Sequence, residues 1–254
     1  MWWGAGMVAR SGPWSSLPVR RVQAREAPGS SDEDDGAGAD WHRDVPAVRQ
    51  VLEQGWDLTA VTVLVGDNGA GKSTLVEGVA AAFGLGVEGG TTASTHRTHA
   101  TESAFAREIS LVRGAGAPRR GFFLRAETMH GHYTYLDGIG SGGLHAMSHG
   151  ESFLELVGTR MLHPGLYVLD EPESALSFTG CLALLEHLHG LVQQDSQVIL
   201  STHSPLLAAL PGATIYEVGP WGLRQAAWED LELVVGWRGF LDAPERYLRH
   251  VLGA

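Results

Sequence analysis

The chain has 254 residues, which is enough for one large domain or two small ones with a substantial core. Apolar residues make up 44% of it and charged residues 19%, as in globular proteins, and no apolar run approaches the roughly 18 residues of a membrane-spanning helix. The formal net charge of −11 argues against a broad, sequence-independent hold on nucleic acid, and the single cysteine excludes an internal disulfide.

Residues 1–40 combine a basic cluster with an acidic run and show no sustained periodicity. This composition predicts a disordered or weakly ordered N-terminal extension, with one candidate edge strand at residues 17–22. The opening residues 1–4 lack the basic start and the apolar stretch of a secretory signal, so we expect a cytoplasmic protein. Residues 41–254 are expected to form a single domain.

From residue 41 onward, strand-like and helix-like segments alternate, which predicts an α/β fold with a mainly parallel central sheet and flanking helices. Ligands of such sheets bind at the carboxyl ends of the strands. The predicted helices span residues 45–54, 74–83, 153–161, 178–192 and 230–252; the predicted strands span 58–65, 121–125, 166–170, 197–200, 213–218 and 222–226; residues 105–113 form a strand or a short helix.

A glycine-rich loop joins the strand predicted at 58–65 to the helix that follows it. Its sequence matches G-x-x-x-x-G-K-[ST], which binds phosphates because glycine lets backbone N–H groups turn inward toward an anion. An ordinary strand-to-helix turn is the alternative. We expect Lys72 to reach the β- and γ-phosphates and the Ser73 hydroxyl to ligate Mg²⁺. The predicted nucleotide-binding residues are Gly66, Asp67, Asn68, Gly69, Ala70, Gly71, Lys72, Ser73 and Thr74.

Two carboxylates end the apolar strand predicted at residues 166–170. Asp170 is placed to hold Mg²⁺, and the adjacent Glu171 is placed to orient or deprotonate an attacking water. Taken alone, Asp-Glu-Pro also fits a turn at the end of a strand. His203 follows the strand at 197–200 and taken alone fits a turn histidine. Together with a phosphate loop, these residues favour a site for phosphoryl transfer.

Further motifs resemble those of the ABC-type ATPases. Ser148-His149-Gly150-Glu151 resembles their signature motif, residues 174–177 resemble their D-loop, and His203 resembles their switch histidine. Glu127 occupies the position of the Q-loop residue, where that family more often has glutamine. The chain is most similar to small stand-alone AAA-family ATPases related to the RecF/SMC-like ABC ATPases, from about residue 41 to the C-terminus.

The resemblance implies a P-loop NTPase fold with a small helical or loop insert that carries the signature motif. It also implies a homodimer that closes on ATP and Mg²⁺, in which Ser148, Gly150 and Glu151 act on the partner's nucleotide. His149 departs from the first glycine of the usual signature, and Ser148-x-x-Glu151 before an apolar helix also fits a capping box. The implied metal ligands are Ser73, Asp170 and Glu127, and the implied catalytic residues are Glu171 and His203.

Several functions remain open under this resemblance. The leading hypothesis is a Mg²⁺-dependent ATP hydrolase that uses dimerisation as a conformational switch, without direct membrane insertion. A DNA-associated ATPase is disfavoured by the acidic balance, although Arg119 and Arg120 keep it open. A subunit coupled to a transporter would need a membrane partner, and a small-molecule kinase would leave the signature unexplained. Trp41 and Trp56 are candidates for stacking on adenine.

Overall fold

The computed structural model describes residues 17–26, 40–86, 90–91, 104–125 and 149–253. The predicted Q-loop residue Glu127, the signature residue Ser148 and the predicted insert before it lie outside the described residues. The strands, numbered along the chain, are β1 (Arg21–Ala24), β2 (Trp56–Asp57), β3 (Val61–Val65), β4 (Gly90–Thr91), β5 (Ile109–Val112), β6 (Gly121–Arg125), β7 (Leu166–Asp170), β8 (Gln197–Ser201), β9 (Thr214–Gly219) and β10 (Gly222–Ala226). The helices are α1 (Pro46–Gln54), α2 (Lys72–Phe83), α3 (Ala104–Glu108), α4 (His149–Arg160), α5 (Phe178–Gln193), α6 (Glu232–Asp242) and α7 (Pro244–Leu252).

A seven-stranded sheet lies at the centre of the fold, with the strand order β10-β9-β3-β8-β7-β6-β4. Its five inner strands run parallel, and β10 and β4 pair antiparallel at the two edges. Every residue of β3, β7 and β8 is buried, as expected for parallel strands covered on both faces. The predicted α/β fold with a mainly parallel central sheet is confirmed.

Helices cover the central sheet on both faces because successive side chains of a strand point in opposite directions. Val63 of β3 belongs to the core under α4 and α5, together with Phe153 and Leu184. Its neighbour Leu64 belongs to the core under α1, α2 and α3, together with Phe105. None of the helices in the described part of the chain combines the length and the apolarity needed to cross a membrane.

A second, three-stranded antiparallel sheet has the order β2-β1-β5. The edge strand predicted at residues 17–22 is therefore wrong in its position, because β1 lies between two partners and spans Arg21–Ala24. The buried side chain of Gln197 anchors the preceding residues, donating from Nε2 to the Val19 carbonyl at 2.7 Å and accepting from the Val19 N–H at 2.8 Å. Residues 17–26 thus pack on the domain, and the domain boundary at residue 41 stays a prediction.

Candidate functional site

The loop between β3 and α2 has a backbone that only glycine adopts without strain at two points. Gly71 caps α2 with φ of 103°, and a Cβ there would lie 2.4 Å from Val45 Cγ1. Gly66 has φ of 150°, and a Cβ there would lie 2.2 Å from the Val218 carbonyl oxygen. Both glycines therefore satisfy a positive φ and a close packing contact at once. The result is a tight loop that delivers the chain into the N-terminus of α2, where free N–H groups favour an anion.

Lys72 lies inside this loop and is only 3% exposed. Its ammonium donates to the carbonyl oxygens of Gly66 at 2.9 Å and Asp67 at 3.0 Å, and its Nζ lies 2.8 Å from His203 Nε2. Burial lowers the pKa of the Lys72 ammonium, although the nearby Glu171 and Asp170 carboxylates oppose the change. The lysine is thus held at the loop by carbonyl oxygens that a bound phosphate oxygen could replace.

His203 joins the loop to the end of β7. Its Nε2 lies 3.2 Å from Glu171 Oε1 as well as near Lys72. A ring nitrogen that accepts a hydrogen bond from Lys72 cannot donate one to Glu171 at the same time, so the two contacts belong to different tautomers of the histidine. The arrangement brings one cation, one carboxylate and one titratable ring together at the ends of three strands.

Asp170 and Ser73 supply oxygen ligands at the same edge of the sheet. Ser73 Oγ donates to Asp170 Oδ1 at 3.2 Å, and the Ser201 hydroxyl donates to the same oxygen. Arg125 Nε lies 3.8 Å from Asp170 Oδ2. Burial raises the pKa of the Asp170 carboxyl, although the hydrogen bonds from Ser201 and Ser73 oppose the change.

This pair of oxygens fits a magnesium ion. In the described residues no group of three or more His, Cys, Asp or Glu side chains gathers as a metal site. Mg²⁺ does not need such a group, because it is usually held by one or two carboxylates, waters and the substrate's phosphates. Ser73 and Asp170 would therefore be its protein ligands among the described residues, and Glu127 as a third ligand stays a prediction.

Glu171 turns away from the strand that carries Asp170. It adopts a left-handed backbone with φ of 48° and ψ of 49°, and its N–H donates to the Ser201 carbonyl oxygen at 3.0 Å. Such a conformation costs a non-glycine residue about 1–3 kcal/mol. It separates the two adjacent carboxylates, since Asp170 is buried against Ser73 while the Glu171 side chain is partly exposed.

Glu173 is a site residue that the sequence analysis did not identify. Its carboxylate accepts a hydrogen bond from the backbone N–H of His203. Burial raises the pKa of the Glu173 carboxyl, although this backbone hydrogen bond opposes the change. The second glutamate of Asp-Glu-Pro-Glu is the sequence signal that could have pointed to it.

The described part of the signature motif lies at the start of α4. A Cβ on Gly150 would lie 3.4 Å from the Ala175 carbonyl oxygen, so this helix start packs beside the 3-10 turn Pro172–Ala175, which contains the first part of the predicted D-loop. The neighbouring Glu151 is exposed.

The remaining residues predicted to bind the nucleotide lie on the phosphate loop and at the start of α2. Thr74 lies in the first turn of α2, and Asp67, Asn68 and Gly69 are exposed on the loop. The phosphate loop thus lies next to Asp170 and Glu171 at the end of β7 and to His203 after β8.

A cavity of about 800 Å³ opens beside the loop. Its lining includes residues 65–70, His203, residues 44–46 and residues 217–221. Trp56 is 3% exposed and belongs to the core, so it is wrong as a candidate for stacking on a base. Trp41 is exposed but does not belong to this lining.

Comparison with known proteins finds ABC transporter proteins, although no family model matches the chain. The chain is 40% identical over 68 residues to ABC transporter G family member STR2 of Medicago truncatula, covering 26% of this chain and 9% of that protein. It is 36% identical over 72 residues to an uncharacterized ABC transporter ATP-binding protein of Haemophilus influenzae, covering 28% and 27%. It is 32% identical over 98 residues to a protein named as an ABC transporter ATP-binding protein of Methanothermobacter thermautotrophicus, covering 36% and 35%. The resemblance to ABC-type P-loop ATPases is confirmed.

The similarity to these ATPases is partial, since the matches span from 9% to 35% of the relatives' own lengths. Two solved structures align over more of the chain at low identity. A structure described as a metal-chelate type ABC transporter, inward-facing, has a TM-score of 0.41 and 17% identity, covering 70% of this chain and 76% of that chain. The SMC head domain from Thermotoga maritima has a TM-score of 0.41 and 13% identity, covering 68% and 93%.

Proposed function

We propose that the chain is a Mg²⁺-dependent ATPase and that two copies close around ATP. The observation that carries this proposal is the convergence of Lys72, Ser73, Asp170, Glu171 and His203 at the carboxyl ends of β3, β7 and β8. Phosphoryl transfer to water mainly requires a phosphate-binding loop, a metal site and a group that positions the water. The ABC transporter relatives support ATP binding at the level of the family.

Each residue has a separate task in this proposal. Lys72 exchanges the carbonyl oxygens of Gly66 and Asp67 for phosphate oxygens, and the N-terminus of α2 binds the same anion. Mg²⁺, when bound, supplies positive charge that stabilises the phosphate oxygens. Glu171 orients the attacking water and accepts its proton, since its carboxylate is accessible beside the loop. His203, which lies beside Lys72 and Glu171, would contact the terminal phosphate.

Replacing Lys72 tests the proposal directly, because it is the only lysine in the sequence. Lys72→Ala removes the cation at the loop, and by analogy with the loss of one preorganised donor we expect kcat for ATP hydrolysis to fall by about 10²–10³-fold. The measurement is steady-state phosphate release with Mg²⁺. Arg119→Ala removes an exposed cation away from the site and should keep the wild-type rate.

A Lys72→Ala variant that hydrolyses ATP as fast as the wild type would contradict the role of the lysine. A wild-type protein that releases no phosphate from ATP with Mg²⁺ would contradict the proposed activity as a whole. DNA association, coupling to a transporter and a kinase activity are the alternatives to this proposal.

A further inference from the structure

The cavity beside the phosphate loop is lined by groups of two chemical kinds. Gly66 and His203 lie close to the buried cation of Lys72. Trp221 also belongs to the lining, and the buried Glu217 carboxylate beside it is already paired with Arg224. The indole of Trp221 is therefore the lining group that can offer a flat surface to an uncharged, planar part of the ligand.

Trp221 is held in place at the wall of the cavity by two contacts. The guanidinium of Arg224 covers one face of its ring, with Cζ 4.2 Å from the ring centroid, and its Nε1 donates to the Glu217 carbonyl oxygen at 3.4 Å. Trp221 as a whole nevertheless remains 47% exposed, although Gly219 lies against the six-membered part of its ring. A ring that is fixed by these contacts and still lines the cavity is a preorganised stacking platform.

The turn that carries Trp221 is itself anchored to the body of the domain. The side chain of Gln50 in α1 accepts a hydrogen bond from the Leu223 N–H at 2.6 Å and donates to the Leu223 carbonyl oxygen at 3.3 Å. The buried Glu217 carboxylate accepts from Arg224 at 2.5 Å and from the Glu232 N–H at 2.7 Å. These bonds fix the hairpin of β9 and β10 relative to α1 and to the start of α6.

We propose that Trp221 is the surface on which the base of the bound nucleotide stacks. This inference rests on the proposed function, since it assigns the second half of the same ligand. The volume of about 800 Å³ lies within the range of small-molecule sites. Purine bases should bind more tightly than pyrimidines, because they offer a larger area to the indole ring. The platform thus comes from the C-terminal hairpin, whereas Trp41 precedes the loop and lies outside the lining of the cavity.

Calorimetry with ADP and with inorganic pyrophosphate separates the base from the phosphates. We expect Trp221→Ala to weaken ADP binding by about 5- to 150-fold, the range typical when an aromatic side chain that stacks on a base in a single-stranded nucleic acid is replaced by alanine. Pyrophosphate binding should not change, because it depends on the loop. Trp221→Phe keeps an aromatic ring and should retain most of the affinity for ADP.

Trp237→Ala is the matched control, since Trp237 on α6 is 49% exposed and does not line the cavity. It should bind both ligands as the wild type does. Unchanged ADP affinity in Trp221→Ala, or a selective loss of ADP affinity in Trp41→Ala, would overturn the assignment while leaving the proposed ATPase intact. A wild-type protein that binds neither ADP nor pyrophosphate would overturn both.

Discussion

Single residues around the strand ends are positioned by hydrogen bonds that connect three separate segments. Glu171 and His203 face each other only because the backbone turns sharply after Asp170 and again after Ser201. Glu173 links these two turns, since its carboxylate accepts the His203 N–H. The histidine is therefore held through its backbone by a carboxylate that follows Glu171 by two residues.

Replacing Glu173 tests whether it positions His203 in the proposed reaction. Glu173→Ala leaves the His203 N–H without its acceptor, and a misplacement of about 1 Å at a reacting group can reduce the rate about 10²-fold. We expect kcat for ATP hydrolysis to fall by about 10- to 100-fold with little change in KM. Glu173→Gln keeps a carbonyl acceptor at the same place and should restore most of the rate. Loss of kcat to the same extent in both variants, or in neither, would contradict a positioning role.

Among single site residues, the sequence predicts those that belong to a local motif better than those whose contacts come from distant segments of the chain. Lys72, Ser73 and Asp170 follow from patterns of adjacent residue types, and the structure brings them together. Trp221 matches no such pattern, and Glu173 is marked only by its place in Asp-Glu-Pro-Glu. Their environments depend on contacts with His203 and with the β9–β10 hairpin, which arise only when distant segments fold together.

Among the elements, the amphipathic helices and the apolar strands of five or more residues are predicted, and the shortest strands are not. Helix α5 and strands β7 and β8 lie close to their predicted limits. Residues 105–113 contain both predicted alternatives, with α3 followed directly by β5. The three-stranded sheet was missed because β2 has two residues and β1 has four, too few for a periodic signal.

The packing of α2 against α3 yields a prediction at the scale of an element. A Cβ on Gly78 of α2 would lie 2.2 Å from Cδ1 of the fully buried Phe105. Alanine is the better helix former by about 1 kcal/mol, but overpacking a rigid core costs about 1–3 kcal/mol. We therefore expect Gly78→Ala to lower the free energy of unfolding by up to about 2 kcal/mol, measured by urea denaturation.

Gly190 of α5 is the matched control for this helix substitution, since a Cβ there would meet no atom within 4 Å. Gly190→Ala should raise the free energy of unfolding by about 0.5–1 kcal/mol. Adding Phe105→Leu to Gly78→Ala relieves the contact and should recover part of the loss. If Gly78→Ala were as stable as Gly190→Ala, the close packing of α2 and α3 would be wrong.

At the scale of the whole molecule, the start of α4 lies beside the 3-10 turn Pro172–Ala175. Gly150 lies against Ala175, and Glu151 next to it is exposed. A surface of this kind suits the proposed contact with a second copy, in which each chain completes the nucleotide site of the other. Two chains of net charge −11 repel each other, and in the proposed closed pair the contacts made through nucleotide and Mg²⁺ would offset that repulsion.

Slowing hydrolysis should therefore trap the closed pair. Glu171→Gln removes the proposed base but keeps a side chain of the same size, so ATP remains bound between the two chains. We expect this variant to elute as a dimer in size-exclusion chromatography with saturating ATP and Mg²⁺, and as a monomer without ATP. Adding Lys72→Ala weakens the hold on phosphate and should return it to the monomer, while Glu186→Gln, an exposed change on α5, should behave as the wild type. A Glu171→Gln protein that stays monomeric with saturating ATP would leave the ATPase proposal standing but exclude closure into a dimer.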